Sequence, residues 1–506
     1  MKQPLRRTLV CLTLLALLAG IAPVPASAAG FRDVPAGHWA EDSIQRSVSL
    51  GFFQGESATR FGMGAEITRA AFAVVLSRFY GWETPAPEQP LFQDVPTDAS
   101  YAGAVAAAYA HGAITRQQPT FRPDEPITRE ALAVILVRSL GYSYLAGQVQ
   151  DLPTHFQDVY TNKGYIALAY NLGLMNGTSS NAFSPSRAAP REEVAVTLMR
   201  LYDRLHAKAP QVTAVVAAPE EGESVPDMTG LDAVAIPAGR LMGVGDKPAI
   251  TPTMTAAEAA QLRADAQNAG LNVLLHITGG PSALDAPYEE AAALLAGAVA
   301  EGGYDGLFLD MPTVKRDRRQ EMTQFMTDLR DALGETTLCL SVEAPAWNGR
   351  EYGGYDYTAL ADQVDQLILR VSSYELDFPD GRTVAPVDPL EEIYYALASM
   401  KGHVEISQLS LLITTEPFVW GSSSRPLDLS AQELAELLTS GEIHYSQLYG
   451  CAYTMVESKD GLPLSVWFLD REAVQARRQM AQIFGVNQIC LSDWSSAPLE
   501  LLTVTQ

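Results

Sequence analysis

Three acidic residues stand at the ends of apolar runs in the second half of this chain. Asp310 closes YDGLFLDMP, Glu343 closes TLCLSVEAP and Glu375 follows VDQLILRVSSY. Carboxylates gathered at neighbouring strand ends suit glycosidic cleavage, one as acid and another as base, nucleophile or orienter. The plainer reading is that Asp310 and Glu343 cap the following loops or pair with Lys315, Arg316 or Arg350. A second set of charged residues recurs in the first half. Phe61 to Arg69, Phe121 to Arg129 and Phe183 to Arg191 are each eight residues apart. An Asp opens each of these stretches, at Asp33, Asp94 and Asp158.

The elements that must position this second set form a repeat. The copies open with FRDVPAGHWAEDSI, LFQDVPTDASYAGAV and HFQDVYTNKGYIAL, and each closes with an aromatic, a polar turn, an Arg and an apolar helical run. Asp33 to Arg69 is 36 residues, Asp94 to Arg129 is 35 and Asp158 to Arg191 is 33, so length changes fall in a loop between two fixed helices. Ile44 and Val48 before Gly51, and Val105, Ala108 and Tyr109 before Gly112, give the first helix a short apolar face and a stop. Thr68 and Thr128 stand where they can cap the second helix, whose runs are AFAVVLSRF and ALAVILVRS.

These copies resemble S-layer homology (SLH) domains, which run from an F-x-D-V opening to I-T-R-A-E at the second helix. The resemblance implies an array that binds secondary cell-wall polysaccharide, commonly through a ketal-pyruvate carboxylate. A planar guanidinium suits that group because it can hold a carboxylate with two hydrogen bonds. The matching glycan-binding positions are Asp33, Trp39 and Arg69; Asp94 and Arg129; and Asp158 and Arg191. The copies depart from the family pattern: Ala71 and Ala131 replace its Glu, the third copy keeps Glu193 but has Pro190 for its Thr, and Ser100 stands at the counterpart of Trp39. No copy holds the full capping box. The alternative is that these Asp and Arg residues only cap helices and bridge repeats.

The N-terminus places MKQPLRR before an apolar run, Leu9 to Ala22, and then Ala26-Ser27-Ala28, the order of a secretory signal. The expected location is outside the cell, at the wall or S-layer surface. No later stretch is apolar for the roughly 20 residues that a membrane span needs. The formal net charge of −24 disfavours nucleic acid as a partner. It also means that an anionic wall polymer needs local Arg sites. Cys339, Cys451 and Cys490 form neither a disulfide framework nor a zinc pattern; a Cys451–Cys490 bridge is conceivable, but buried free thiols are expected. No metal or cofactor is implied.

Beyond residue 226, strand-like runs such as LDAVAIPA, LNVLLHITGG, TLCLSVEAP, LSLLITTEP and NQICLSDW alternate with amphipathic segments such as TAAEAAQLRADAQNAG and RRQEMTQFMTDLRDALG. Continuous apolar strands alternating with helices predict a parallel sheet covered by helices, and the size favours a (β/α)8 barrel. YDGLFLDMP resembles the fourth strand of glycoside hydrolase family 18, written D-G-x-D-x-D-x-E. GGYDYTALADQVDQLILRVSSYE and VWFLDREAVQARRQMAQIFGVNQICLSDW extend the likeness, which is closest to the chitinase-like and spore-cortex branch. The resemblance implies cleavage of N-acetylglucosamine-containing glycans, but the motif is broken. Phe308 replaces its first inner Asp, Asp310 matches the second and Pro312 stands at the proton-donating Glu. Ser372 and Ser373 fall where the family has Tyr and Asp. Ser492 falls at the Trp that floors the sugar site, with Trp494 two residues on. Loss of a general acid alone costs about 10² to 10⁴ in rate.

The expectation is therefore a multidomain chain: an all-α three-repeat SLH array followed by an α/β, TIM-type (β/α)8 barrel. Its boundaries are 1–28 for the signal, 29–82, 90–142 and 154–206 for the repeats, 207–226 for a linker and 227–506 for the barrel. Two readings of the barrel stand open. It is a catalytically impaired module that binds glycan or serves a structural role, or it is a glycosidase on peptidoglycan or chitin-like glycan using the relocated carboxylates Asp310 and Glu343. Trp347, Tyr352, Tyr355 and Trp420 are candidate sugar-stacking aromatics in either case.

Overall fold

The computed structural model describes residues 31–152, 154–219, 226–245, 247–346, 353–371, 376–377, 383–384, 386–421, 427, 429 and 431–494. The signal segment, Trp347, Tyr352, Ser372, Ser373 and Glu375 lie outside them. The chain divides into two compact units, Met1–Ser139 with Ser184–Arg200, and Leu140–Phe183 with Leu201–Gln506.

In the first unit, α1 (Glu41–Ser49) and α2 (Arg69–Tyr80) belong to the first repeat, and α3 (Ala102–Ala110) and α4 (Arg129–Ser139) to the second. The Thr caps form as expected: Thr68 Oγ1 accepts the Ala71 N–H at 3.2 Å and Thr128 Oγ1 accepts that of Ala131 at 3.1 Å. Gly81 ends α2 at φ 65°, a conformation glycine adopts without a Cβ penalty. The loops before the second helices meet as a closed ring of backbone hydrogen bonds. Ile67 donates to Ala189, Ala189 to Ile127 and Ile127 to Ile67, at 3.3, 2.9 and 2.9 Å. Isolated β-bridges flank the ring, joining Glu66 to Pro190, Thr68 to Pro126 and Thr128 to Ala188. The centre of the array is thus strand-like backbone pairing, a feature absent from a helix-only description.

The second unit begins with α5 (Ser143–Gln148) and α6 (Lys163–Asn171) of the third repeat; the last helix of that repeat is α7 (Arg191–Leu205), whose residues up to Arg200 belong to the first unit. Its main body is a closed barrel. Parallel strands β1 (Gln211–Val215), β2 (Ala233–Val244), β4 (Asn272–Gly279), β5 (Gly306–Asp310), β6 (Thr337–Glu343), β7 (Gln366–Arg370), β10 (Leu409–Ile413) and β15 (Gln488–Leu491) pair in ring order β1-β15-β10-β7-β6-β5-β4-β2, and β1–β2 pairing closes the ring. β3 (Lys247–Pro252) adds an antiparallel edge to β2. The connecting helices are α8 (Ala256–Asn268), α9 (Tyr288–Gly302), α10 (Arg319–Leu333), α11 (Tyr357–Ala361) and α12 (Leu390–Met400). Each barrel strand contributes one residue to a buried central layer: Val215, Ala235, Leu274, Phe308, Cys339, Ile368, Leu412 and Cys490. Cys339, Cys451 and Cys490 are buried and unbridged.

Two expectations change. The stretch 207–226, expected as a linker, contains barrel strand β1. QVTAV is too short to show a period, yet four of its five residues are buried. VWF, expected in a closing barrel strand, belongs to β14 (Pro463–Phe468). This strand lies in an antiparallel four-stranded sheet with β11 (Phe418–Trp420), β12 (Ile443–Ser446) and β13 (Cys451–Glu457). That sheet and α13 (Ala431–Ser440) form an insertion before α14 (Arg471–Phe484), the helix leading into β15. The remaining short strands, β8 (Leu376–Asp377) and β9 (Thr383–Val384), pair with each other.

Candidate functional site

In the repeat array each Asp faces its own loop. Asp33 accepts N–H groups of Phe61, Gly62 and Met63 at 2.8, 2.8 and 3.0 Å. Asp94 accepts those of Phe121 and Arg122, each at 2.7 Å, and Asp158 accepts that of Phe183 at 2.8 Å. Burial raises the carboxyl pKa of Asp33 and Asp94, but the amide hydrogen bonds outweigh it and leave both below the ordinary value. These Asp residues fix the Phe, and Phe61 and Phe121 in turn each fix an Arg from another copy. Arg191 stacks 4.9 Å above the Phe61 ring, and its Nε donates to the Phe61 carbonyl at 3.0 Å. Arg69 repeats the arrangement on Phe121, at 4.9 Å from the ring and 2.8 Å from the carbonyl.

Arg69 and Arg191 are half-buried, and burial lowers the pKa of both. Neither makes an ion pair with a carboxylate among the described residues. One edge of each guanidinium is thereby held, and Arg191 Nη2 also donates to the Gln54 carbonyl at 2.8 Å. Acidic residues lie nearby, Glu56, Asp33 and Glu192 for Arg191 and Glu125 and Asp94 for Arg69, but none of the described ones is in ion-pair contact, which leaves room for an incoming anion. Arg191 lines a groove with Phe53, Gln54, Ala71, Tyr101 and Asp124, the last of which makes no ion pair with it. Arg129 differs: it is 3% exposed and ion-paired with Glu193. Trp39 is 62% exposed and lies against His38, with ring centroids 5.3 Å apart.

At the barrel mouth, side chains two residues beyond the central layer share its inward face. Phe308 thus leads to Asp310, Ile368 to Arg370, and Cys339 to Ser341 and Glu343. Asp310 registers with Ser341, and Glu343 with Arg370 on the next strand. Arg370 Nη2 lies 2.5 Å from Asp310 Oδ2, and Asp310 and Glu343 are both buried. Among the described residues the ion-pair partner of Asp310 is thus Arg370 rather than Lys315 or Arg316, and Arg350 lies outside those residues. Its signal was visible in VDQLILRVSS, where Arg370 ends a strand in step with the inward residues. His276 completes the cluster, with its ring 4.7 Å from Phe308. Burial lowers its pKa to about 4 against the pull of Asp310, so it is neutral at pH 7. Both His276 ring nitrogens, Asp310 Oδ1, Ser341 Oγ and Arg370 Nε are buried without a hydrogen-bond partner among the described residues, leaving polar capacity that water or a ligand can satisfy.

The described aromatics are packing residues. Trp494 is 1% exposed and its indole donates to the Asp227 carbonyl at 2.8 Å. The buried Tyr355 hydroxyl donates to the Met311 carbonyl at 2.7 Å and accepts the Val314 N–H at 3.1 Å. Trp420 is buried in the inserted sheet. Ser492 donates to Glu416 and accepts the Thr415 N–H at 2.9 Å.

Residues 30–73, 91–133 and 155–195 match the family model of the S-layer homology domain. The chain is 31% identical over 229 residues to an S-layer protein of Bacillus licheniformis, an alignment covering 43% of this chain and 25% of that protein. It is 31% identical over 208 residues to S-layer protein EA1 of Bacillus anthracis, covering 40% and 23%. The chain thus spans about a quarter of the length of these relatives. Among solved structures, it is similar to the Bacillus cereus spore cortex-lytic enzyme SleL, with 15% identity, a TM-score of 0.48 and coverage of 58% of this chain and 73% of that one. It is also similar to a chitinase from Chromobacterium violaceum, with 16% identity, a TM-score of 0.47 and coverage of 58% and 97%. The chain carries three S-layer homology domains, and they place it at the cell surface. Among the described residues no helix is long and apolar enough to cross a membrane.

Proposed function

We propose that this chain is held at the cell surface by binding an anionic secondary cell-wall polysaccharide through Arg69 and Arg191, and that it displays the barrel outward. One observation carries this reading. Each guanidinium is clamped by its Nε to the Phe carbonyl of another repeat and stacked on that Phe ring, without a carboxylate ion pair. A ketal-pyruvate carboxylate supplies the missing charge and a planar acceptor edge. Asp33, Asp94 and Asp158 act behind this surface as positioning residues.

For the barrel we infer a structural or glycan-binding role rather than hydrolysis. Its resemblance to glycoside hydrolase family 18 places Pro312 at the proton donor, and a proline cannot give up a proton. Asp310 is engaged as the ion-pair partner of Arg370, an arrangement that serves the barrel's own packing. The test is incubation of the full chain with peptidoglycan and chitin oligomers. No released product is expected from the unaltered chain; turnover that disappears in Glu343→Gln would overturn this reading in favour of a glycosidase using relocated carboxylates.

A further inference from the structure

The three repeat Arg residues do not share one environment, and the difference traces to a proline. A Thr at the N-cap and a Glu three residues later can satisfy each other: the hydroxyl accepts the Glu N–H, and the carboxylate accepts the Thr N–H. This chain builds that pair in the barrel. Thr255 N donates to Glu258 Oε2 at 2.7 Å, and Glu258 N donates to Thr255 Oγ1 at 3.2 Å. Before α7 the corresponding residue is Pro190, which has neither a hydroxyl nor an N–H. Glu193 therefore cannot make the reciprocal cap, and its carboxylate reaches across instead. It pairs with Arg129 of the second copy and with Arg187, whose Nη2 is 2.5 Å from Glu193 Oε2.

The other copies carry Ala71 and Ala131 at the position of Glu193. Backbone pairing relates these positions around the central ring: Arg129 N donates to Arg187 O as Arg191 N donates to Ala65 O, each at 2.9 Å. Ala71 lines the groove of Arg191, so a methyl group stands near Arg191 where a carboxylate stands against Arg129. The buried Arg129 already has what a ligand carboxylate would bring. An incoming anion would have to displace a tethered one, and breaking a buried ion pair is strongly unfavourable.

We infer that Glu193 is an internal counter-ion that stands in for the ligand carboxylate and closes the Arg129 groove. The array then takes anionic sugar at Arg69 and Arg191 while Arg129 is a latent third site. This inference rests on the proposed wall-polymer binding and sets which grooves perform it.

The test is calorimetric titration of the full chain with ketal-pyruvylated oligosaccharide released from purified walls. Glu193→Ala should bind one equivalent more than the unaltered chain, and adding Arg129→Ala to that variant should remove the gain. Pro190→Thr keeps Glu193 but restores both capping partners, so it should also open the groove and add an equivalent. Binding by the unaltered chain with no gain in either variant would overturn the inference and leave the anchoring reading intact. No binding by the unaltered chain, and none gained by the variants, would overturn both.

Discussion

Replacing Asp33 by Ala separates a folding role for this residue from direct glycan contact. Asp33 accepts three amide N–H groups, from Phe61, Gly62 and Met63. Hydrogen bonds to a charged group contribute roughly 1.5–3 kcal/mol each, but these three share one half-exposed carboxylate, so their joint loss is put at about 2–4 kcal/mol. For a unit of this size that is a fall of roughly 5–15 °C in the melting temperature of the array. Asp33→Asn keeps one acceptor oxygen and should lose about half as much. Hydrogen exchange gives the local readout, because the amides of residues 61–63 should exchange faster in Asp33→Ala. The pH dependence has a fixed sign. The folded carboxyl lies below its ordinary value, so its contribution is fully present above the unfolded value of about 3.9 and disappears as pH falls through the lower folded value. The unaltered array should therefore lose its advantage over Asp33→Asn only below about pH 4. Unchanged exchange and melting, with wall binding abolished, would refute the positioning role and make Asp33 a glycan contact.

The barrel offers two further checks. Arg370→Met should destabilise the second unit by about 3–5 kcal/mol by leaving Asp310 buried without its counter-ion, and Asp310→Asn in the same chain should recover much of that loss; a melting temperature unmoved by Arg370→Met would contradict the ion pair's role. Glu343→Gln should leave the product yield from peptidoglycan and chitin oligomers at the blank level seen with the unaltered chain, and a product yield sensitive to this change would contradict the non-hydrolytic reading.

The repeats were legible because their spacing survives even where their motifs do not. The eight-residue step from Phe to Arg reflects one turn followed by one helix start, and Thr68 and Thr128 cap as their positions predict. The direction of Asp33, Asp94 and Asp158 was harder to read, because an acid that clasps its own loop and an acid that faces a ligand look alike in sequence. The pairing of Arg129 with Glu193 joins residues 64 positions apart. It follows from the absence of an N–H at Pro190, which becomes meaningful only once the loops are known to meet in a ring. In the barrel, the alternation of inward residues was visible in β5, β6 and β7, and it would have led from Ile368 to Arg370. Strand β1 was hidden because the five residues QVTAV, beside prolines and acids, carry no period. The inserted sheet was hidden because VWF of β14 reads as a barrel strand until its antiparallel pairing is known.

The central claim is that Arg69 and Arg191 hold the wall. Its most direct test is co-sedimentation of the full chain with purified cell walls, comparing the unaltered protein with Arg69→Ala, Arg191→Ala and the double variant. Removing one charge-assisted contact should weaken binding roughly 10- to 150-fold, and removing both should leave the protein in the supernatant. Undiminished sedimentation of a folded double variant would contradict the account.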